Sequence, residues 1–313
     1  VNPGLADHNA PQEFTAQSSQ AMQNGRAPSP NTVTIESPMK RHHIKVHRHP
    51  SKQKKSKGAL LFVHGAYTHS SYWEFNFIPF FQGHGFDCFA VDLSGHGASG
   101  GQDSLDDFGI DDYAEDIAHA VKEIGRPVVL VGHSMGCLVA QRYLEKGSAL
   151  GAIFLAPVPI TGTAASGTQL AMRYPAYFQV LEETISGIYS EQNNDLMAKI
   201  YFSPDASGAD VLQFLPTVGP ESQQAVMEMA MLLTRPPVRP RKLPALFIGG
   251  DADAIFPSSQ LFFSALPWQA NVIRVPGAGH MLPIDNHWQI VANHMLDWVP
   301  QHTGEADEQP AAA

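Results

Sequence analysis

Long hydrophobic runs are missing from this chain of 313 residues. No stretch approaches the ~18 apolar residues that a membrane-spanning helix requires, which argues against such a helix. Cysteine is nearly absent as well. Cys88 and Cys137 are too few for a disulfide framework or a four-cysteine zinc site. Both sit in apolar stretches and read as buried free thiols. Charge is thin: 16% of residues are Asp, Glu, Lys or Arg, against ~25% in ordinary globular chains. Basic residues are the scarcer sign, 20 Lys and Arg against 30 Asp and Glu, for a formal net charge of −10. Nucleic-acid binders draw their affinity from Lys and Arg on phosphates, so that class of partner is disfavoured. No apolar core of a signal peptide is visible either. The first residue is Val1 rather than Met, compatible with a trimmed start. Scarce cysteine leans toward a reducing cytosol, with a secreted or periplasmic location left open by that start.

What the chain does have is 43% hydrophobic residues, enough for a sizeable core. The length fits one large domain with an insertion, or two small ones. Residues 1–31, rich in Pro, Gln, Asn, Ser and Ala, cannot bury enough surface to offset ordering entropy and read as a mobile tail, as do 303–313. Short strands are expected at 32–35 and 42–48, joined near Pro38. Four apolar runs follow, at 59–63, 86–91, 128–131 and 152–155. Continuous rather than alternating apolarity marks strands buried on both faces. Helical stretches at 110–124 and 138–146 separate them, and strand–helix alternation means a parallel sheet with crossover helices.

The alternation stops at Pro157. From 157 to 242 the chain is polar and helical and holds half of the ten methionines: Met172, Met197, Met227, Met229 and Met231. Val226, Met229, Ala230 and Leu233 fall on one helical face. A proline-rich return (Pro236, Pro237, Pro240, Pro244) leads to further buried-strand patterns at 245–248 and 272–275. A final amphipathic helix carries Trp288, Val291, Met295 and Trp298 on one side. The expected fold is α/β: a mostly parallel central sheet with flanking helices, its core at 32–156 and 243–302, and a helical cap inserted at 157–242.

Gly132-His133-Ser134-Met135-Gly136 directly follows one strand pattern and precedes a helix. This is G-x-S-x-G in the context that gives it meaning, since the glycines permit a sharp strand-to-helix turn that lifts the Ser134 hydroxyl clear of the sheet. The bland alternative is an ordinary turn with a capping serine. A serine hydroxyl needs a base, itself oriented by a carboxylate. With nucleophile, acid and histidine in that chain order, Asp251 and Asp253 follow the strand at 245–248, and His280 follows 272–275 in Gly277-Ala278-Gly279-His280. His133 reads as packing at the turn rather than as the base.

The chain resembles the α/β-hydrolase fold superfamily over most of 32–300. The resemblance rests on His64-Gly65-Ala66, on Asp92-Leu93-Ser94-Gly95-His96-Gly97-Ala98-Ser99, on the Gly-His-Ser-Met-Gly turn, on Gly250 to Pro257, and on Gly279-His280. In that family the catalytic Asp usually stands four residues before a proline. The resemblance therefore selects Asp253 through Pro257 and leaves Asp251 as a loop-capping residue, although both could reach an imidazole. It also implies an oxyanion hole from two backbone N–H groups, one at Met135 and one at Ala66, with Tyr67 as the alternative to Ala66. Asp92 to Ser99 is then a supporting loop.

Other clusters read blandly. The acidic residues from Asp103 to Asp116 lack calcium-loop spacing and are expected to be a solvated face and helix start. His42, His43, His47 and His49, with neighbouring Lys and Arg, read as an exposed edge ribbon, with His43, Lys45, His47 and His49 on one face and Ile44 and Val46 on the other, ahead of metal or an anionic surface.

The resemblance implies a serine hydrolase that cleaves a small-molecule ester with an apolar or acyl-chain group and uses no metal or organic cofactor. His-Gly-Ala followed by Tyr67-Thr68-His69-Ser70-Ser71-Tyr72-Trp73 is similar to two subgroups, the monoacylglycerol lipases and lysophospholipases, and the small-ester methylesterases and hydroxynitrile lyases. Carbon–carbon hydrolysis, lyase chemistry and a receptor function stand as alternatives. Tyr67, Phe178 and Met227 are expected in the substrate pocket, since flexible methionines suit acyl chains of varied shape. The aromatics and methionines of the insertion could equally be its own small core. Oligomeric state has no signal in the sequence.

Overall fold

The computed structural model describes residues 42–208, 210–237 and 243–303. The strand expected at 32–35, the N-terminal tail, Pro240 and all of the C-terminal tail but Thr303 lie outside these residues.

Among the described residues, seven strands form one sheet: β1 (Val46–His49), β2 (Ala59–Val63), β3 (Asp87–Val91), β4 (Val129–His133), β5 (Gly151–Leu155), β6 (Ala245–Gly250) and β7 (Asn271–Val275). Their order is β1-β3-β2-β4-β5-β6-β7. Of these seven, β1 alone runs antiparallel to its neighbour, β3. Every other pair is parallel, as the buried apolar runs require.

Strand periodicity explains why those runs are continuous. Successive side chains point to opposite faces, and both faces are covered. In β2, Ala59, Leu61 and Val63 join the core on one face, and Leu60 and Phe62 join that on the other. Helices α1 (Phe77–Gly83), α2 (Ile110–Ile124) and α3 (Met135–Leu144) follow β2, β3 and β4. Between β5 and β6 lie α4 (Ala164–Arg173), α5 (Tyr177–Ile185), α6 (Glu191–Tyr201) and α7 (Gln223–Ala230). The chain continues through α8 (Ser258–Ala265) and α9 (Trp288–Trp298). Helices α2, α3 and α8 pack on the first face, α1 and α9 on the second. Phe62 is fully buried, and a truncation to alanine there would cost about 3–5 kcal/mol.

Two expectations need correction. β7 was expected to be buried, yet of its five residues only Val275 is, because β7 is an edge strand with a neighbour on one side alone. Asp116, expected on a solvated face, is buried with Tyr113, Ile117 and Ala120 along α2. Its carboxylate accepts the Ser94 amide (2.7 Å) and hydroxyl (2.9 Å), and burial lifts its pKa to about 7. The β1 histidines meet protein groups: His47 Nε2 lies 2.9 Å from Asp92 Oδ2, and His49 Nε2 lies 3.6 Å from Glu74.

The strand order also locates a crevice. From β2 the chain steps to β3 on one side, then returns to lay β4 on the other. The connections leaving β2 and β4 diverge at that switch, and in open parallel sheets ligands bind beyond such a point at the carboxyl ends of the strands. His64-Gly65-Ala66 and His133-Ser134 follow or end those two strands.

Candidate active site

Ser134 stands between β4 and α3 with φ 52° and ψ −119°, a left-handed conformation that is unfavourable for a residue with a side chain. Two backbone bonds hold it there. Its amide donates to the Leu155 carbonyl (2.9 Å), and its carbonyl accepts from the Cys137 amide (3.0 Å). The turn is so tight that a Cβ on Gly132 would lie 2.6 Å from the Gly136 carbonyl oxygen, and one on Gly136 would lie 2.4 Å from that of Val63. No side chain fits at either place, which is the physical content of the two glycines in G-x-S-x-G.

The Ser134 hydroxyl lies 3.0 Å from His280 Nε2, and His280 Nδ1 lies 2.8 Å from Asp253 Oδ2. A carboxylate can only accept, so Nδ1 carries the proton and Nε2 is left to accept from the serine. Asp253 is fixed through its other oxygen, which accepts the Ile255 and Phe256 amides, each at 2.8 Å. The imidazole and this carboxylate are both buried. Asp251 points elsewhere: its Oδ1 accepts the Gly277 amide at 2.6 Å and staples the loop before His280. Of the two aspartates, the structure brings Asp253 to the histidine and Asp251 to the backbone.

His133 is buried beside this group. Its Nε2 donates to the His280 carbonyl (3.0 Å), and its Nδ1 accepts from the Tyr72 hydroxyl (3.2 Å). Tyr72 in turn accepts the Gly65 amide at 3.3 Å. Burial, then the neighbouring His280, pull the His133 pKa down to about 3, so it stays neutral and serves as a strut. His64 is similar: burial, then His96, lower its pKa to about 4. Its Nδ1 donates to the Gly65 carbonyl (2.8 Å), and its Nε2 accepts the Leu93 amide (3.1 Å).

Three successive amides after β2 differ in occupation. That of Gly65 donates to Tyr72, and that of Tyr67 donates to Glu221 Oε2 at 3.3 Å. Among the described residues, the Ala66 amide meets no acceptor. Met135 is the first residue of α3, so its amide has no intrahelical acceptor. These are the two amides that the family resemblance implies as oxyanion donors. Asp92 supports the same region, accepting the Ser70 amide (3.0 Å) and the Ala98 amide (2.9 Å).

A cavity of about 300 Å³ opens on Ser134 and His280. Tyr67 and Phe178 line it, Phe178 at the rim, with more than half of it exposed. Met227 does not. It is 63% exposed and borders a separate cleft beside Ile110 and Arg142. The reason is helical phase: Val226, Met229 and Ala230 turn toward the cavity, and Met227 lies about 100° around the helix from Val226. The methionines divide accordingly. Met197 and Met229 line the cavity, whereas Met172 and Met231 are exposed. Leu170, Tyr177, Leu181 and Met197 belong both to the small core of the inserted helices and to the cavity wall, so the two readings of those residues are not exclusive. Glu221, Thr217 and Asp285 were missed. Asp285 is buried and accepts the Ser203 amide (2.6 Å) and the Gly279 amide (3.2 Å), pinning the residue before His280.

The family model described as "Alpha/beta hydrolase family" matches residues 60–294. No curated protein matches the chain by sequence. Solved structures with a similar fold include a thermophilic esterase from Thermogutta terrifontis, 18% identical with a TM-score of 0.63, covering 83% of this chain and 94% of its own. A monoacylglycerol lipase from Paleococcus ferrophilus is 22% identical with a TM-score of 0.62, over 83% of this chain and 99% of its own. A bromoperoxidase from Bacillus anthracis is 17% identical, also at 0.62, over 82% and 95%. Such identities speak to fold.

Proposed function

We propose that this chain, which belongs to the alpha/beta hydrolase family, hydrolyses carboxylic esters through a covalent acyl-enzyme on Ser134. The observation that carries the reading is the relay from Ser134 through His280 to Asp253, at 3.0 and 2.8 Å, opening on an apolar cavity. Ser134 Oγ attacks the ester carbonyl carbon as its proton passes to His280 Nε2. The Asp253 carboxylate steadies the imidazolium and its tautomer. The carbonyl oxygen becomes an oxyanion, which the Ala66 and Met135 amides stabilise, the latter at a helix N-terminus. As the tetrahedral species collapses, His280 returns the proton to the leaving alkoxide. Water, deprotonated by the same imidazole, then releases the carboxylic acid and restores Ser134. Nothing in this sequence of steps calls on a metal or organic cofactor.

The inserted helices act as a cap that supplies most of the substrate pocket. Leu170, Leu181, Met197, Phe214 and Met229 give its wall a hydrocarbon character, which fits an apolar acyl or alkyl group of moderate length. A panel of p-nitrophenyl esters of increasing chain length tests the reading. We expect turnover with a smooth optimum in kcat/KM, because one methylene in an apolar pocket is worth only ~1–3 kcal/mol. No turnover of any member would remove ester hydrolysis in favour of lyase, carbon–carbon or receptor chemistry.

A further inference from the structure

Between α7 and the helices before it, residues 217–221 run against the loop that follows β2. Three hydrogen bonds join them: Thr68 Oγ1 donates to Thr217 Oγ1 (3.0 Å), the Gly219 amide to the Tyr67 carbonyl (2.9 Å), and the Tyr67 amide to Glu221 Oε2 (3.3 Å). Both backbone polar groups of Tyr67 are therefore held by the inserted segment. Tyr67 needs such support, for its φ is 60°, a conformation that costs a residue other than glycine about 1–3 kcal/mol.

Glu221 is built in on every side. Its side chain is fully buried. Oε1 accepts from the Tyr113 hydroxyl and the Ser222 amide, each at 2.8 Å. His96 Nε2 lies 3.3 Å from Oε2 as an ion-pair contact without hydrogen-bond alignment. Burial pushes the Glu221 pKa up, but the charge of neighbouring His96 and the hydrogen bonds from Tyr113 and the Ser222 amide outweigh it, and the net shift is downward. A buried carboxylate so surrounded keeps its charge and its place.

We propose that Glu221 is a positioning residue for the oxyanion loop: by taking the Tyr67 amide while Tyr72 takes that of Gly65, it leaves the Ala66 amide as the one free to face the reacting carbonyl. The inference rests on the ester-hydrolase reading and goes beyond it. It makes the inserted segment part of the machinery that stabilises charge, in addition to being a wall of the pocket.

The test compares the parent with Glu221→Gln, Tyr113→Phe and Glu228→Gln. Glu228 is the control, because it makes a like bond from the same segment to a core amide, that of Ile110 at 2.8 Å, away from the loop. The readouts are kcat and KM for p-nitrophenyl butyrate, and the affinity of an alkylboronic acid that forms a tetrahedral adduct on a serine. Loss of a whole oxyanion donor costs ~10²–10³ in kcat. A displaced donor should cost less, roughly 10–100-fold for Glu221→Gln, with boronate affinity falling by the same factor and KM within about 3-fold. Tyr113→Phe should show a smaller parallel loss, and it carries the test should Glu221→Gln not fold. Glu228→Gln should match the parent. An active parent whose folded Glu221→Gln or Tyr113→Phe variant keeps parental kcat and boronate affinity would overturn this inference alone. A parent inert to both ester and boronate would overturn the ester-hydrolase reading and this inference with it.

Discussion

The cavity is built from two kinds of material. One wall is the carboxyl edge of the sheet, where Ser134, His280 and Asp253 sit on turns fixed by backbone bonds to neighbouring turns. The other is the set of short helices between β5 and β6, which meet the cavity with apolar side chains and hold together through a small core of Leu170, Tyr177, Val180, Leu181, Met197 and Ile200. The first wall tolerates almost no change of residue type, since each position answers to a hydrogen bond or a closed space. The second answers chiefly to volume and polarity, which several side chains can satisfy. On the proposed function, chemistry belongs to the first wall and selectivity to the second, with Glu221 as the proposed link between them.

The sharpest way to break this division is at the two aspartates. Asp253→Asn keeps an oxygen for the Ile255 and Phe256 amides but turns an amide N–H₂ toward His280, which favours the wrong imidazole tautomer. We expect kcat to fall by roughly 10⁴, whereas Asp251→Asn, which loses part of one loop bond, should cost less than about 10-fold. The opposite ranking in steady-state kinetics would move the acid to Asp251.

Acid sensitivity comes next in size, and it should reside in the sheet edge. His64 and His133 have folded pKa values lowered to about 4 and about 3. Below ~6.5 the unfolded chain protonates both, whereas the folded protein leaves them neutral, so stability present above ~6.5 is lost as pH falls. Each should contribute about 1.5 kcal/mol of that loss between pH 6.5 and 5. Urea unfolding at the two pH values measures the slope, and His64→Gln should remove about half of the portion due to this pair. An unchanged slope would mean that His64 is not held neutral.

The smallest effects should come from the helical wall. Met229→Ala enlarges the cavity and should shift the ester chain-length optimum in kcat/KM toward longer acyl groups, by ~1–3 kcal/mol per methylene at most. Met227→Ala, on the exposed side of the same helix, should leave the profile unchanged. Equal shifts in both would undo the assignment of faces on α7.

The same division explains what could be read from the chain before folding. Strands buried on two faces betray themselves as continuous apolar runs, and a strand-to-helix turn too tight for a Cβ demands glycine at Gly132 and Gly136. Local physics there dictates local sequence, so Ser134 and His280 stand out as candidates, whereas Asp251 and Asp253 stay open by that reasoning and only the family resemblance, through Pro257, selects Asp253. The helical wall leaves only a periodicity. Choosing Met227 on methionine content rather than phase pointed to the wrong face, while the Val226, Met229 and Ala230 stripe held the answer. Asp116 sat within an acidic run and yet is buried, because Tyr113, Ile117 and Ala120 share its face of α2. Glu221 had no signal at all: a single acid between a proline and a serine becomes distinctive only when folding brings His96, Tyr113 and Tyr67 around it.

The central claim is that Ser134 is the nucleophile, and covalent labelling tests it most directly. A fluorophosphonate transfers its phosphonyl group to an activated serine oxygen with loss of fluoride, and intact-mass measurement followed by peptide mapping locates the adduct. We predict one equivalent, on the peptide carrying Ser134, with none on a folded Ser134→Ala variant, whose ester turnover should fall on the order of 10⁴–10⁶-fold. An adduct on another residue, or undiminished turnover in Ser134→Ala, would contradict the account.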